Sequence, residues 1–469
     1  MNAPLKIVFL TPGTGGWYCG ACMRDNALAK ALQAAGNEVS LWPMYLPLRL
    51  DEELLDGSHG SPVFFGGINV FLRQKSALFR HTPGWLDKLL DQPRLLRGVA
   101  RHSHMTSARD HGELTLAMLR LDDRRFGKEL DQLCACLQRE SPHILCLSTA
   151  LQAGMIRELK QRLEVKVICC FQGEDSFLDG LPDTYRNACW QELAARVRDA
   201  DALISPSTFY ANLMRQRLGP DDLSISVIPN GINLAGYAPA PARVGPPVIG
   251  FLARMCREKG LDVMVEAFIH LCTVLGQPDA RLHLAGAATA ANQPLIEELQ
   301  QRLAAVGLTD RVQWQTNISR EAKTVMLGTL SLFSVPASYP EAFGLYVIES
   351  MASGVPVVQP AAAAFPEILA RAGGGVLVPF GGHAGRDAIA LAQAWHDLLQ
   401  QPDKLREMAA SGRRAAEECY SVSTMRDSFL ALARNLLTCN AGSLPAATQS
   451  GQAGIATAAA TSDNPAPTI

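Results

Sequence analysis

The strongest constraint in this sequence is a rhythm that occurs twice. Short β-rich apolar runs alternate with helical stretches through the first half of the chain, break off near residue 236, and then start again. Parallel strands need crossover connections, usually helices, so this alternation builds parallel sheets covered by helices. The first set of predicted strands is 6–11, 38–42, 143–147, 165–171, 202–205 and 226–229, with helices over 21–35, 128–139, 150–163 and 184–197. The break holds four prolines and two glycines in the twelve residues 236–247, which can continue neither a helix nor a central strand. Strands then resume at 248–252, 281–285, 312–315, 332–335, 355–359 and 375–378. With 469 residues the chain is too long for one core. The expectation is an α/β protein of two Rossmann-like domains facing a central cleft: residues 1–238, a linker at 239–247, and residues 248–420. Residues 440–469 are mostly small residues and proline, and the reading is a disordered tail.

Several function classes drop out on composition. A net charge of −2 provides no global positive field for nucleic acid, and 6% aromatic residues leave little for a base-stacking surface. No run of about 18 apolar residues occurs, so no spanning helix is expected. The apolar run at 7–10 is too short for a signal sequence and reads as the first strand. Twelve cysteines in so long a chain are not a disulfide framework, and Cys146, Cys169 and Cys170 sit in apolar runs as buried thiols. The expected compartment is the cytoplasm, with a peripheral position at the inner face of a membrane left open.

The first strand runs into a loop with Gly13, Gly15, Gly16 and Gly20. Glycines there let the backbone approach a ligand, and the following helix start offers N–H groups to an anion. A dinucleotide fingerprint would need glycine at 18, which is Tyr18, and no Gly-Lys-Ser/Thr follows to make a phosphate-binding P-loop. Cys19 and Cys22 have redox spacing, but Cys134 and Cys136 form no convincing second half of a metal site. Both are read as packing residues, and no metal site is expected.

Three features surround the second alternation. Arg254 and Lys259 follow its first strand, where open α/β sheets bind ligands, and a planar fork beside a point charge suits a diphosphate. Glu341 and Glu349 bracket Phe343, Gly344 and Leu345. Eight residues turn a helix about 80° past whole turns, so the two carboxylates reach one cleft only if Glu341 lies in the loop before the helix. Carboxylates accept hydrogen bonds from vicinal hydroxyls, which suits a hexose and a ribose. The third feature is the Asn230–Gly231 turn after the strand 226–229, adequately explained as a turn alone.

In this order, the Gly-rich loop, the Asn-Gly turn, the Arg254/Lys259 pair and the Glu341…Glu349 segment resemble the GT-B glycosyltransferases of family 4, the glycosyl transferases group 1. The resemblance spans about residues 5–438. It implies a nucleoside-diphosphate sugar bound in the second domain and no cofactor or obligatory metal. Glu341 would contact the donor sugar and Glu349 the nucleotide ribose, while Arg254 and Lys259 would grip the diphosphate. Backbone N–H groups around Phe343, Gly344 and Leu345, and at Gly15 and Gly16, would assist. It also implies transfer with retention of anomeric configuration, and a last helix, at 421–439, crossing back onto the first domain.

The chain departs from the family at 172–175. Gln172 stands where family members often carry histidine; it can hydrogen-bond but holds no transferable proton, which passes any acid/base role to Glu174 or Asp175. Gln172, Glu174, Asp175 and Asn230 are candidate sugar or acceptor contacts. Residues 49–120 exceed what a Rossmann half needs; between Arg73 and Arg109 lie eight Arg/Lys against Asp87 and Asp91. Such a stretch fits an anionic membrane surface or, the preferred reading, a solvated helical insert beside the acceptor site. The acceptor is a glycan, a lipid or a small molecule. A nucleotide-sugar isomerase or phosphorylase, and a non-catalytic nucleotide-sugar-binding relative, are the alternatives.

Overall fold

In a computed structural model, the described residues are 3–13, 20–46, 48, 50, 52–55, 63–65, 108–121, 123–219, 223–239 and 245–438. Gly15, Gly16, Cys19, most of the basic stretch 73–109 and the tail 440–469 lie outside them.

Two six-stranded sheets carry the fold, and all their pairings are parallel. The first contains β1 (Lys6–Thr11), β2 (Glu38–Pro43), β3 (Ile144–Leu147), β4 (Lys166–Cys170), β5 (Ala202–Ser205) and β6 (Ile225–Val227), in the order β2-β1-β3-β4-β5-β6. The second contains β7 (Val248–Leu252), β8 (Arg281–Gly286), β9 (Val312–Thr316), β10 (Leu332–Phe333), β11 (Val357–Pro360) and β12 (Gly375–Val378), in the order β12-β11-β10-β7-β8-β9. Central strands such as β3 and β7 are buried along their whole length, as their uninterrupted apolar sequences require when helices cover both faces. The edge strand β9 is half-exposed instead.

The predicted strands and helices recur with shifted ends. One differs in kind: 150–163 splits into a 3₁₀ segment, Ala150–Met155, and the helix Ile156–Arg162. The hydroxyl of Thr149 caps that segment by accepting from the Leu151 N–H at 3.3 Å. Gly154, within the 3₁₀ segment, sits against the Met118 and Leu119 carbonyls, leaving no room there for a β-carbon.

The chain passes between the domains twice. After β6 the chain crosses at Gly231, whose position against the Ser421 carbonyl would exclude a β-carbon. Ile232 then bridges to Ser421, donating to the Tyr420 carbonyl and accepting from the Val422 N–H. Ile232 and Tyr237 already belong to the second domain's core. The helix Val422–Thr438 returns the other way: Phe429 stacks on Phe9 of β1, ring centroids 5.7 Å apart, beside Leu28 of the helix Gly20–Ala34.

A second contact spans the cleft floor. Glu367, from the helix Phe365–Ala372, accepts from the N–H groups of Thr208 and Phe209 at 3.0 and 3.1 Å. Those groups open the helix Thr208–Leu218 of the first domain, so one domain's carboxylate caps the other's helix. Beside it the Ser207 hydroxyl donates to the Ala342 carbonyl at 2.7 Å.

Candidate active site

Strand order decides where a ligand sits. In the second sheet the order reverses between β7 and β10, and the crevice at the carboxyl ends of such strands is the natural ligand site. Arg254 and Lys259 follow β7, and the segment carrying Glu341 follows β10. Across the cleft, Gln172 follows β4, Asn230 follows β6, and Gly20 opens the first helix. One cavity is lined from both sides by Gln172, Asn230, Arg254, Lys259, Glu341, Phe343, Gly344, Leu345 and Glu349.

Each carboxylate is held in the same manner. Glu341 and Lys259 form a buried ion pair through Oε1, which also accepts from the hydroxyls of Tyr339 at 2.8 Å and Tyr346 at 3.0 Å. The Lys259 ammonium lies 4.8 and 5.4 Å from the centroids of those two rings. Burial and the adjacent carboxylate push both phenols well above their ordinary pKa, so they stay protonated donors. Glu349, on the helix Leu345–Ala352, accepts through Oε1 from Lys323 Nζ at 2.7 Å and from the Tyr237 hydroxyl at 2.8 Å. Burial and Glu349 likewise raise the Tyr237 pKa. Oε2 of each glutamate accepts nothing from a described residue.

Arg254 is the contrast. Its side chain is exposed and makes no ion pair or hydrogen bond with a described residue, so its full charge faces the cleft. The backbone opens space around it. Gly344 takes φ 89° at the start of the helix Leu345–Ala352 and puts that helix's first N–H groups on the cavity wall. Gly286, ending β8, takes φ 151°, and a β-carbon there would lie 1.6 Å from the Ala253 carbonyl oxygen.

Two candidates are placed elsewhere. Glu174 and Asp175 are buried beneath the cleft and are not among the residues lining it. Glu174 accepts from the N–H groups of Gln172 (2.8 Å), Gly173 (3.2 Å) and Ala150 (3.0 Å) and from the Thr149 hydroxyl (2.7 Å). The Tyr210 hydroxyl sits 3.1 Å from Glu174 and 2.8 Å from Asp175, whose pKa burial raises. They brace the turn that aims Gln172, so no proton shuttle at the cavity is built from them. Gln172 itself faces Asn230 at 3.5 Å, and its Nε2 has no hydrogen-bond partner among the described residues. Cys22 is buried on the first helix. Among the described residues no group of three His, Cys, Asp or Glu could hold a metal ion, and no helix is long and apolar enough to cross a membrane.

Sequence reasoning missed Lys323 and the three tyrosines. Lys323 sits one turn into the helix Arg320–Gly328, a position where a lysine ordinarily reads as solvated surface. Tyr339 and Tyr346 flank Glu341 in the motif, and that spacing was the available signal.

Two family descriptions divide the chain: "Glycosyl transferase 4-like domain" matches residues 24–231 and "Glycosyl transferases group 1" matches residues 238–415. The chain belongs to the group 1 glycosyltransferases of the family 4 type. Its GT-B fold is shared with sucrose-phosphate synthase from Thermosynechococcus elongatus, at TM-score 0.67 and 20% identity, covering 92% of this chain and 99% of that one. Anabaena HepE, solved in complex with UDP and glucose, matches at TM-score 0.62 and 17% identity over 92% and 100%. Among sequence relatives, a phosphatidyl-myo-inositol mannosyltransferase of Mycobacterium leprae is 28% identical over 48% of this chain and 56% of its own. A D-inositol 3-phosphate glycosyltransferase of Nocardia farcinica is 28% identical over 45% and 48%. The chain thus spans about half the length of the curated relatives it matches. The two matched regions meet at 231–238, the stretch that crosses between domains at Gly231 and Ile232.

Proposed function

We propose that the protein is a retaining glycosyltransferase that moves a hexose from a nucleoside-diphosphate sugar to an acceptor hydroxyl. The observation that carries this reading is one cavity at the strand-order reversal, lined by Arg254, which pairs with no described residue, and by two glutamates whose Oε2 accepts from no described residue. A diphosphate lies by Arg254, Lys259 and the helix start at Gly344–Leu345. The ribose meets Glu349 and the donor sugar meets Glu341. As the glycosidic bond breaks, negative charge grows on the departing diphosphate, where these cations and N–H groups already point. No metal is required in this scheme. Gln172 and Asn230, from the first domain, offer neutral hydrogen-bonding groups to the sugar or the acceptor. The chain's relatives include a phosphatidyl-myo-inositol mannosyltransferase and a D-inositol 3-phosphate glycosyltransferase, which supports a polyol acceptor here.

The test is incubation of the purified chain with UDP-, GDP- and ADP-sugars in the presence of EDTA, with and without polyol acceptors. Release of nucleoside diphosphate and an α-linked product from an α-linked donor are expected. A β-linked product from that donor overturns retention, and abolition by EDTA overturns the metal-free scheme. No release with any donor overturns transfer.

A further inference from the structure

Lys323 is absent from the motif that marks this site, yet it lines the cavity and ends 2.7 Å from Glu349 Oε1. The pair is largely withdrawn from water, with side-chain exposures of 10% and 13%. The Tyr237 hydroxyl reaches the same oxygen, and the Arg320 guanidinium lies 5.2 Å from that ring's centroid. Arg320 is itself fixed: it pairs with Glu52 of the first domain at 2.6 Å and donates to the carbonyls of Asn233 and Ala235. Two donors on one carboxylate oxygen set the plane of the carboxylate and leave Oε2 as its free acceptor. Without the lysine, a glutamate on an eight-residue helix can swing about its side-chain torsions, with one tyrosine as its remaining described tether.

We propose that Lys323 is a positioning residue for donor recognition: by holding Oε1 of Glu349 it aims Oε2 at a ribose hydroxyl and so makes the site selective for ribonucleotides over deoxyribonucleotides. The inference rests on the glycosyltransferase reading above. Its physical content is separable from general electrostatics. A cation acting through phosphate attraction raises affinity for ribo- and deoxyribonucleotides alike. A cation acting through Glu349 raises affinity for the form that carries the hydroxyl. The arrangement duplicates that of Glu341, whose Oε1 is held by Lys259 and two tyrosines, so the cleft builds both of its carboxylate acceptors in one way.

The experiment is calorimetric titration of the full chain with UDP, GDP and ADP and with their 2′-deoxy and 3′-deoxy counterparts, for wild type, Lys323→Met, Lys323→Arg and Glu349→Gln. Wild type is expected to favour a ribonucleotide over one deoxy form by about 10-fold, the scale of one charge-assisted hydrogen bond. Lys323→Met is expected to lose most of that preference, as does Glu349→Gln, while affinity for the deoxy form stays within about 2-fold. Lys323→Arg retains the preference. The thermal midpoint is read for each variant, and Lys323→Gln replaces the methionine variant if that one does not fold. A wild-type preference in Lys323→Met, or a parallel loss of ribo and deoxy affinity, overturns the role of Lys323 while leaving nucleotide binding intact. Failure of wild type to bind any of these nucleotides overturns the donor reading and this inference together.

Discussion

Replacing Lys259 by methionine tests the site through stability, independently of any substrate. The side chain is 11% exposed and that of its partner Glu341 is 10% exposed, so the ion pair is nearly dry. Removing one member of a buried pair leaves the other charge uncompensated, at a typical cost of about 3–5 kcal/mol. Here the Tyr339 and Tyr346 hydroxyls still donate to Glu341, which places the expected loss near the lower end, about 3 kcal/mol. For a domain of this size each kcal/mol shifts the midpoint by about 2–4 °C, so the second domain's transition falls by roughly 6–12 °C. Lys259→Met/Glu341→Gln removes both charges and leaves the tyrosine hydroxyls an amide oxygen, so it recovers most of the loss. Differential scanning calorimetry reads both variants, and a transfer assay runs beside it. The double variant is expected to regain stability and stay inactive, because on the proposed reading the cation at the diphosphate and the carboxylate at the donor sugar are both gone. A Lys259→Met protein that melts with wild type would show that Glu341 is not charged against Lys259. A double variant no more stable than the single one would show that the loss comes from packing.

Gly286→Ala places a β-carbon 1.6 Å from the Ala253 carbonyl oxygen at φ 151°, so the loop before Arg254 must move; nucleoside diphosphate affinity is expected to fall about 10-fold or more, read by calorimetry. Glu367→Ala uncaps the helix Thr208–Leu218 across the domain boundary and is expected to remove about 1 kcal/mol of stabilisation, appearing as wider separation of the two domains' unfolding transitions. Arg254→Ala removes an exposed cation, so the affinity lost for nucleoside diphosphate, about 10-fold at low salt, shrinks as ionic strength rises. Titrations at two salt concentrations check this, and an equal loss at both would mean that Arg254 acts from a buried position.

The fold was legible because burial on both faces leaves an unmistakable trace. β3, β7 and the core of β4 are continuous apolar runs, and Pro239, Pro246 and Pro247 punctuate the passage between domains. Residues of the candidate cavity were legible where chain proximity carried them. Glu341 and Glu349 lie within one strand-loop-helix unit, and Arg254 and Lys259 within another. What escaped was contact between units. Lys323 belongs to the helix after β9 and meets Glu349 only because β10 returns beside β7. Tyr237 reaches the same oxygen from the segment joining the domains. Glu174 and Asp175 misled for the converse reason: acidic residues after a strand suggest chemistry, whereas here neighbouring N–H groups and Tyr210 consume their acceptor capacity.

On the proposed reading, the Lys259–Glu341 pair is the contact that donor binding would exchange. Lys259 and Glu341 satisfy each other, which avoids leaving either charge dry and alone. On the proposed reading a diphosphate would compete with Glu341 for Lys259, so that contact would add little net affinity in the ground state. Arg254 pairs with no described residue and, on the same reading, would supply the initial attraction. In the proposed transfer, as the glycosidic bond lengthens the leaving oxygen would gain charge and draw Lys259 more strongly than the resting diphosphate does. Glu341, turning toward the sugar, would then face the positive character that develops on the departing ring. A neutral residue at 259 could not make that exchange, and a second unpaired arginine would bind the resting donor tightly without favouring its cleavage. On this proposal the paired lysine would serve the reaction, and the arginine, unpaired among the described residues, would serve capture.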